Sequence, residues 1–581
     1  MKKTMFLLFV GVALVSCKGN KPAASVNIDS RFDAYKNKFI ENFWAIYPDF
    51  ATSQGYHKFD SILKVLNESY NKEQLTFVAT NLDSLKQFDI NALSDANKTD
   101  FHMIEDQLKS TEWNINTLKS GEWNPSNFNV CGIFSYMLGE KYAKLDDRLK
   151  SISLKLVNVP AYYEAAKSNI KNPTVEHTQL AIDQNLGGSV VFSADLIDSV
   201  KSSGLSEDEK KQLTDRSQAA LNAVKSYTDW LKNLKNDKPR SFRLGKELYM
   251  KKFEFDIQSS YTADQIYAIA TKRKAEIHAE MAKITDQLWP KYFGNTPKLG
   301  DKLLMIRKMI DTLSVKHVKP EDFQASIEKQ IPTLVEFVKK KDLLYIDPSK
   351  PLVVRKEPAY MAGVAGASIS APGPYDKGGN TYYNVGSLNG WPKDKTESYL
   401  REYNDYILQI LNIHEAIPGH YTQLVYSNQS PSIIKSVFGN GAMVEGWAVY
   451  AERVMLESGY GNNEPEMWLM YYKWHLRTLC NTLLDYNVHV NEMSKEDAIK
   501  LLTYEAFQQQ AEAEEKWKRV SVTQVQLTSY FTGFTEIFNL REELKKKEGD
   551  KFNLKAFHEK FLSYGSAPVK YIKELMLKET N

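Results

Sequence analysis

Apolar residues recur every three to four positions over most of the chain, and this spacing is typical of amphipathic helices. Phe39 and Phe43 are one such pair, within a pattern that runs from residue 32 to residue 342. Short separators containing Gly, Asn and Pro interrupt it, as expected of loops between helices. The pattern returns near Thr396 and continues to Leu577. We therefore predict a mainly α-helical protein.

A different pattern occupies residues 358–392, where Gly, Pro, Ser and Ala are dense and aromatic residues are interleaved. Small residues that alternate with Val, Ile and Tyr disfavour helix and predict short strands or a small β-hairpin lining a cleft. The Tyr382-Tyr383-Asn384 stretch has two interpretations. It pairs with an extended peptide by strand addition, or it is only an edge hairpin.

The composition of the 581 residues is that of a globular protein, with 43% hydrophobic and 25% charged residues. Lys and Arg number 75 against 72 Asp and Glu, so the formal charge of +3 gives no basis for nucleic-acid binding. Three cysteines are too few for a Cys-rich zinc module, so any metal site must use His and carboxylates. Cys131 and Cys480 either pair in an oxidising compartment or are buried thiols.

The first residues have the features of an export signal. Two lysines follow the initial methionine, and an apolar run extends from Met5 to Val15. This run is too short to span a bilayer, so residues 1–16 are predicted to be a signal peptide. Leu14-Val15-Ser16-Cys17 resembles a bacterial lipobox, and the alternative is an ordinary secretory signal. We expect an exported protein, lipid-anchored at Cys17 on the periplasmic or cell-surface side of a bacterial membrane, with residues 17–30 as a tether.

The segment His414-Glu415-Ala-Ile-Pro-Gly-His420 has the residue types of a zincin site, where two imidazoles bind Zn²⁺ and a glutamate activates water. The two histidines are six residues apart, which is about 600° around a regular helix and so about 120° out of register. Pro418 cannot donate a hydrogen bond to the carbonyl four residues earlier, and Gly419 tolerates the resulting distortion. We predict that the helix breaks at Pro-Gly and brings His420 beside His414.

A third ligand is expected on a second helix. The segment 441–452 predicts an amphipathic helix that carries Glu445 and Glu452 on one face. We predict that His414, His420 and Glu445 bind one Zn²⁺ and leave a position for water, with the neighbouring glutamate of the first motif, Glu415, as general base. Glu452 either orients a ligand or is a solvated position on the helix face.

These segments resemble the bacterial domain of unknown function 885 family, which is regarded as related to the helical zinc carboxypeptidases and the wider glutamate-zincin group. The resemblance covers the chain from about residue 375 onward. It implies a large helical zincin-like body with a cleft, one zinc ion and a peptide substrate. The matching segments are His-Glu-Ala-Ile-Pro-Gly-His, Glu445-Gly-Trp-Ala-x-Tyr-x-Glu, Asp485-x-x-x-His489, Glu515-x-x-x-Arg519 with Gln526, Tyr530 and Gly533, and Phe552–His558 with Gly565 and Pro568.

Three features depart from the family pattern. Many relatives have Pro-Gly-His-His where this chain ends the motif with Tyr421. Val520 replaces the tyrosine after the arginine, and Gln524-Val525 replaces the Pro-Gly before the glutamine. A phenol is a poor zinc ligand near neutral pH, so His420 must supply the second imidazole. None of these departures touches the predicted ligands.

The resemblance adds further candidate site residues, each with a structural alternative. His489 hydrogen-bonds the substrate or a developing oxyanion, or it is a core histidine. Arg519 pairs with a substrate carboxylate, or it is one charge on a surface face. Tyr530 stabilises the tetrahedral intermediate, or it is a packed aromatic residue. Asp485 and Gln526 are interpreted as supporting neighbours of these groups.

The sequence as a whole predicts a lipid-anchored zinc peptidase that cleaves peptide bonds, in the manner of a carboxypeptidase or a dipeptidase. Residues 31–345 are expected to form a helical region and residues 346–581 a zinc-hydrolase region of one continuous body. The alternative is a non-catalytic peptide- or glycan-binding lipoprotein that retains a decayed metallopeptidase fold. The sequence predicts no oligomeric state.

Overall fold

The structure is a computed structural model that describes residues 27–358, 367–376 and 378–579. The predicted signal peptide, Cys17 and most of the predicted tether lie outside the described residues. So does the 359–366 part of the segment that is rich in small residues.

Helices occupy both stretches in which the apolar spacing predicts them, and the fold is mainly α. None of the described helices combines the length and the apolar character needed to cross a membrane. The helices are α1 (Ile28–Ile46), α2 (Pro48–Ser53), α3 (Glu68–Leu85), α4 (Asp95–Trp113), α5 (Ser120–Trp123), α6 (Cys131–Gly139), α7 (Leu145–Leu156), α8 (Val159–Asn169), α9 (Val175–Gly188), α10 (Leu196–Ser202), α11 (Glu207–Lys232), α12 (Lys246–Ile257), α13 (Ala263–Phe293), α14 (Lys302–Leu313), α15 (Phe323–Lys340), α16 (Lys393–Glu402), α17 (Asp405–Glu415), α18 (His420–Ser427), α19 (Ile433–Val437), α20 (Gly441–Glu457), α21 (Pro465–His489), α22 (Lys495–Lys500), α23 (Gln510–Val522), α24 (Ser529–Glu548), α25 (Leu554–Ser563) and α26 (Val569–Glu579).

The described helices enclose two hydrophobic cores. The larger core draws residues from Phe32 to Met576, so both halves of the chain contribute to it. The smaller core lies within residues 63–231. Cys131 belongs to the smaller core and Cys480 to the larger, and both are buried free thiols. The disulfide alternative is therefore wrong, and the buried-thiol interpretation is confirmed.

Three short strands form one sheet, in the order β1-β3-β2: β1 (Leu352–Lys356), β2 (Ala367–Ser370) and β3 (Thr381–Val385). β1 runs parallel to β3, with Leu352 opposite Thr381, and β2 runs antiparallel to β3. Short strands were predicted in this part of the chain. β1, however, lies before the predicted segment. That segment was identified by its dense Gly and Pro positions, and the Leu-Val-Val of β1 lies outside them.

The strand-addition interpretation of Tyr382-Tyr383-Asn384 is wrong. These residues belong to β3, which is the central strand and is paired along both sides. Its backbone groups are used within the sheet, so it offers no free edge to a peptide. The edge-hairpin alternative fails for the same reason, since the edges of the sheet are β1 and β2.

Glycines allow α20 and α24 to touch along their backbones. A Cβ added at Gly533 of α24 would lie 1.7 Å from the Ala442 carbonyl oxygen. A Cβ added at Gly446 of α20 would lie 2.3 Å from the Gly533 carbonyl carbon. This contact brings the residues next to the two glycines together, and Glu445 is one of them.

Candidate metal centre

The helix is interrupted between α17 and α18, as the Pro-Gly pair predicts. His414 and Glu415 end α17, and His420 begins α18. The Gly419 amide donates a hydrogen bond to the Ile413 carbonyl at 3.0 Å, so the chain folds back on the end of the helix. A Cβ on Gly419 would lie 1.9 Å from the His414 carbonyl oxygen, and only glycine fits there.

Trp447 holds this break in place. Its indole Nε1 donates a buried hydrogen bond of 2.8 Å to the Pro418 carbonyl. Trp447 lies on α20, two residues after Glu445. The same helix that carries Glu445 therefore also anchors the loop that positions His420. In the sequence, Trp447 belongs to the Glu445-Gly-Trp-Ala motif, but the motif does not indicate this role.

His414, His420 and Glu445 converge. One ligand atom from each lies within 4.8 Å of the others, and this is the group of metal-ligating side chains found among the described residues. The Oε2 atom of Glu445 lies 3.3 Å from His420 Nε2 and 3.7 Å from His414 Nε2. The two imidazole rings are almost perpendicular, at 87°, with their centroids 4.7 Å apart.

These three residues fit a zinc ion. Two ligand atoms bonded at about 2.1 Å to a tetrahedral zinc lie about 3.4 Å apart, close to the two distances from Glu445. Glu445 Oε2 is buried and accepts no hydrogen bond from the described residues, although buried carboxylate oxygens normally have partners. A cation among the three side chains would satisfy it.

Glu452 contacts the Nδ1 side of the His414 ring, opposite the nitrogen that faces Glu445. Its Oε1 atom lies 2.6 Å from His414 Nδ1, which leaves Nε2 directed toward Glu445. Trp474 of α21 donates a second hydrogen bond to the same oxygen at 3.0 Å. Glu452 is fully buried, so the alternative of a solvated position is wrong. No local sequence pattern identifies Trp474, because it comes from a helix distant in the chain.

The carboxylates set the electrostatics of the site. Burial opposes the charged imidazolium of His414, but Glu445 and Glu452 outweigh it and raise the pKa of His414 to about 10. Burial would also raise the pKa of Glu445, yet the two histidine rings beside its carboxylate hold that pKa well below its ordinary value. Glu445 therefore stays ionised, as a metal ligand must be.

Glu415 lies at the end of α17, where burial raises its pKa and the two histidines partly offset the effect. The buried Tyr383 of β3 is an electrostatic neighbour of this carboxyl. The Tyr383 hydroxyl donates a 2.9 Å hydrogen bond to Asn412, one turn before Glu415 on α17. The small sheet thus packs against the helix that carries the proposed base.

Arg519, Gln526 and Tyr530 form a connected group next to Glu445. One guanidinium nitrogen of Arg519 donates to Gln526 Oε1 at 2.9 Å and to the Tyr530 hydroxyl at 3.1 Å. Burial and the nearby Glu445 carboxylate raise the pKa of Tyr530 to about 12, so its hydroxyl stays protonated. Arg519 therefore points inward, which disfavours the alternative of a surface charge.

Asp485 supports this group indirectly. Its carboxyl accepts hydrogen bonds from the Val525 amide at 2.9 Å and the Leu527 amide at 3.3 Å, on either side of Gln526. Burial raises the pKa of Asp485 to about 7 despite these bonds. Asp485 thus holds the turn that presents Gln526 to Arg519.

His489 lies elsewhere. It is fully buried, and its Nε2 donates a 2.9 Å hydrogen bond to the Val520 carbonyl. Its ring contacts are with Phe242 and Tyr249, and burial lowers its pKa to about 4. None of its described contacts involves the three convergent residues, so the geometry favours the core-histidine alternative over a role in catalysis.

Tyr421 and Val520, which depart from the family pattern, have structural roles. The Tyr421 hydroxyl donates to the Lys350 carbonyl, which directs the phenol into packing rather than toward the convergent residues. Val520 is buried, and its carbonyl accepts the hydrogen bond from His489.

Comparison with protein-family models identifies the family of this chain. The model for a bacterial protein of unknown function (DUF885) matches residues 48–576, and the chain belongs to this family. A search of the curated proteins found no match. The relationship to the zinc carboxypeptidases stays a prediction.

Two solved structures share the fold. One is a "putative lipoprotein of unknown function" from Shewanella oneidensis, 55% identical, with a TM-score of 0.85 over 94% of this chain and 99% of that chain. The other is a "putative lipoprotein" from Colwellia psychrerythraea, 16% identical, with a TM-score of 0.77 over 96% of this chain and 99% of that chain.

Proposed function

We propose that this protein is a zinc-dependent peptidase. The observation that carries the proposal is the convergence of His414, His420 and Glu445 beside Glu415, which belongs to the same motif. The three convergent residues would hold Zn²⁺, which when bound supplies Lewis-acid chemistry: it polarises a carbonyl and lowers the pKa of water. Peptide hydrolysis is the reaction for which such a site is best suited.

Three side chains around the proposed metal site have separate roles in the proposed reaction. Glu415 accepts a proton from the attacking water and returns it to the leaving amine. Tyr530, whose hydroxyl stays protonated, donates a hydrogen bond to the oxygen on which negative charge develops. Glu452 fixes the orientation of the His414 ring through its 2.6 Å contact.

Metal analysis together with one substitution tests this proposal. Glu415→Gln keeps the shape of the side chain but removes the base, so we expect one zinc per chain and loss of activity by about 100-fold or more on a peptide library read by mass spectrometry. Glu397→Gln is the matched control and should retain activity, because the Glu397 side chain is half-exposed and lies on α16. Protein without zinc, or a fully active Glu415→Gln variant, would exclude the mechanism.

The same library distinguishes the alternative of a non-catalytic binding lipoprotein. That alternative predicts that no peptide is cut and that His414→Ala leaves ligand binding intact. Tyr421, Val520 and the irregular spacing of the two histidines motivated it. Tyr421 and Val520, however, are engaged in packing away from the convergent residues, and the helix break brings the two histidines together despite their spacing. The peptidase proposal predicts that His414→Ala loses the metal.

We also propose that the protein is exported and anchored to the membrane through a lipid on Cys17. The lipobox-like Leu-Val-Ser-Cys motif supports this, as does the description of the relative from Shewanella as a "putative lipoprotein". Expressed in a bacterium, the full chain should fractionate with membranes, and Cys17→Ser should release it. Cys131→Ser, at a buried thiol, is the control. Equal membrane association of both variants would contradict the anchor.

A further inference from the structure

Lys516 of α23 is a buried lysine without a close partner. The side chain is 3% exposed. Among the described residues, the carboxylate nearest to its ammonium is Glu512, one turn earlier, at 3.9 Å. Glu512 is already engaged by Arg477 at 2.5 Å. Burial, reinforced by Arg477, lowers the pKa of Lys516 well below its ordinary value.

The other buried lysines of the described chain show that this is unusual. Lys473 contacts Glu402 at 2.7 Å, and Lys435 contacts Asp100 at 2.6 Å. Lys155 donates to the Ile62 carbonyl at 2.7 Å and contacts Asp49 at 2.5 Å. Each of these three has a hydrogen-bonding oxygen, as expected when a buried charge must be compensated. Lys516 alone among the four does not.

The surroundings of Lys516 carry an excess of positive charge. The charged groups that act on Lys516 are the guanidinium groups of Arg477 and Arg519 and the carboxylates of Glu512 and Glu402. Glu402 is occupied, because one oxygen contacts Lys473 and the other accepts from the Gln509 amide at 3.2 Å. With Lys516 itself, three cations against two carboxylates leave an excess of one positive charge.

This excess lies beside the candidate metal centre. Arg519 follows Lys516 by three residues, so the two side chains lie on the same face of α23. Arg519 contacts Tyr530, and Tyr530 is the electrostatic neighbour of Glu445. A path of adjacent side chains therefore leads from the metal ligands to the ammonium of Lys516, whose nearest carboxylate is 3.9 Å away.

We propose that Lys516, together with Arg519, binds a carboxylate of the substrate next to the bond that is cleaved. The proposal rests on the proposed function, because it takes the convergent residues as the place of reaction. Arg519 uses one nitrogen for Gln526 and Tyr530, which leaves the rest of its guanidinium available for a planar carboxylate. The carboxylate is the C-terminal α-carboxylate of a peptide or an acidic side chain.

Binding to an inactive enzyme tests this independently of catalysis. The protein is the zinc-loaded chain with Glu415→Gln, and the probes are acetyl-tetraalanine with a free C-terminus, the same peptide as its amide, and an amide with one alanine replaced by glutamate. Isothermal titration calorimetry measures each affinity. A hydrogen bond to a charged group contributes about 1.5–3 kcal/mol, so we expect the free acid or the glutamate peptide to bind at least about 10-fold more tightly than the plain amide.

Lys516→Met, which keeps an unbranched side chain one atom shorter and removes its charge, should reduce this advantage to less than about 3-fold. Lys518→Met is the matched control, since Lys518 lies on the same helix, is 70% exposed and should leave the advantage unchanged. Preference for the free acid identifies a terminal carboxylate, and preference for the glutamate peptide identifies an acidic side chain. Equal affinities for all three peptides, or an advantage that persists in Lys516→Met, would overturn the proposal.

Stability separates a binding role from a structural one. A buried ammonium whose charge is compensated only by a bound ligand destabilises the ligand-free protein. The melting temperature of Lys516→Met should therefore equal or exceed that of the parent protein. A lower melting temperature, or failure to fold, would show that the ammonium is a structural ion-pair partner and would overturn the proposal. Carboxylate preference without any peptide cleavage by the wild type would instead reject the proposed function and leave this binding site standing.

Discussion

A methyl group on Gly533 tests whether the contact between α20 and α24 sets the geometry of the metal centre. The Cβ of alanine there would lie 1.7 Å from the Ala442 carbonyl oxygen and 2.8 Å from the Gly446 Cα. Non-bonded carbon and oxygen atoms normally remain about 3.4 Å apart, so the helices would have to separate by roughly 1.5 Å. Both obstacles are backbone atoms, which cannot move aside by a change of rotamer.

We expect Gly533→Ala to lower the free energy of unfolding by about 3 kcal/mol, at the upper end of the usual effect of an overpacked core. The displacement also moves Glu445, which precedes Gly446 on α20, relative to the two histidines, so zinc affinity should fall. Urea unfolding followed by tryptophan fluorescence measures the first effect, and competition with a chelator measures the second.

Gly441→Ala is the matched control for this substitution. Gly441 also lies on α20, but a Cβ there would meet nothing within 4 Å. Its effect on unfolding should therefore stay within about 0.5 kcal/mol. If Gly533→Ala unfolds at the same urea concentration as the wild type, the close helix contact does not exist as described and the reasoning is refuted.

Three further predictions concern neighbouring groups. Glu452→Gln should weaken zinc binding about 10- to 100-fold in chelator competition, because Glu452 orients the His414 ring. Glu457→Gln is the control, since Glu457 lies on the same helix but pairs with arginines, and it should leave zinc affinity unchanged. Equal zinc affinities of the two variants would refute the role of Glu452. Trp447→Phe leaves the buried Pro418 carbonyl without its donor and should lower the unfolding free energy by about 1–3 kcal/mol; an unchanged value would contradict this. His558 is buried and its pKa is lowered from 6.5 to about 4, so the unfolded chain binds the extra proton and stability falls as pH drops from about 6.5 to 4. His558→Asn should make the plot of unfolding free energy against pH in that window shallower by about 1.4 kcal/mol per pH unit, and an unchanged slope would count against this explanation.

Local patterns in the sequence predicted most of the fold. The three- and four-residue apolar spacing marked both helical stretches, because a helix that packs on one face must repeat with that period. The Pro418-Gly419 pair predicted the helix break, since one residue lacks the donor and the other lacks the side chain. β1 was missed because Leu-Val-Val is equally compatible with a short buried helix segment. The central position of β3 was missed because tertiary packing sets the strand order, and the sequence of one short strand does not indicate its position in a sheet.

The site was predictable where its residues share a motif, and less so where they do not. His414, His420 and Glu445 could be chosen from residue type and spacing. Trp474, which contacts Glu452 from α21, has no local signal, because the contact depends on how two distant helices pack. Lys516 was overlooked for a related reason: in the sequence it belongs to a charged run, and only the structure shows that its ammonium is buried.

The central claim is that α17 and α18, on either side of the Pro-Gly break, together with α20 build a single zinc site. The most direct test is a crystal structure of the purified protein with anomalous diffraction data collected on both sides of the zinc absorption edge. We predict one zinc peak bonded to His414 Nε2, His420 Nε2 and Glu445 Oε2 at about 2.0–2.2 Å. The absence of a zinc peak among these three side chains in protein purified with zinc would contradict the claim.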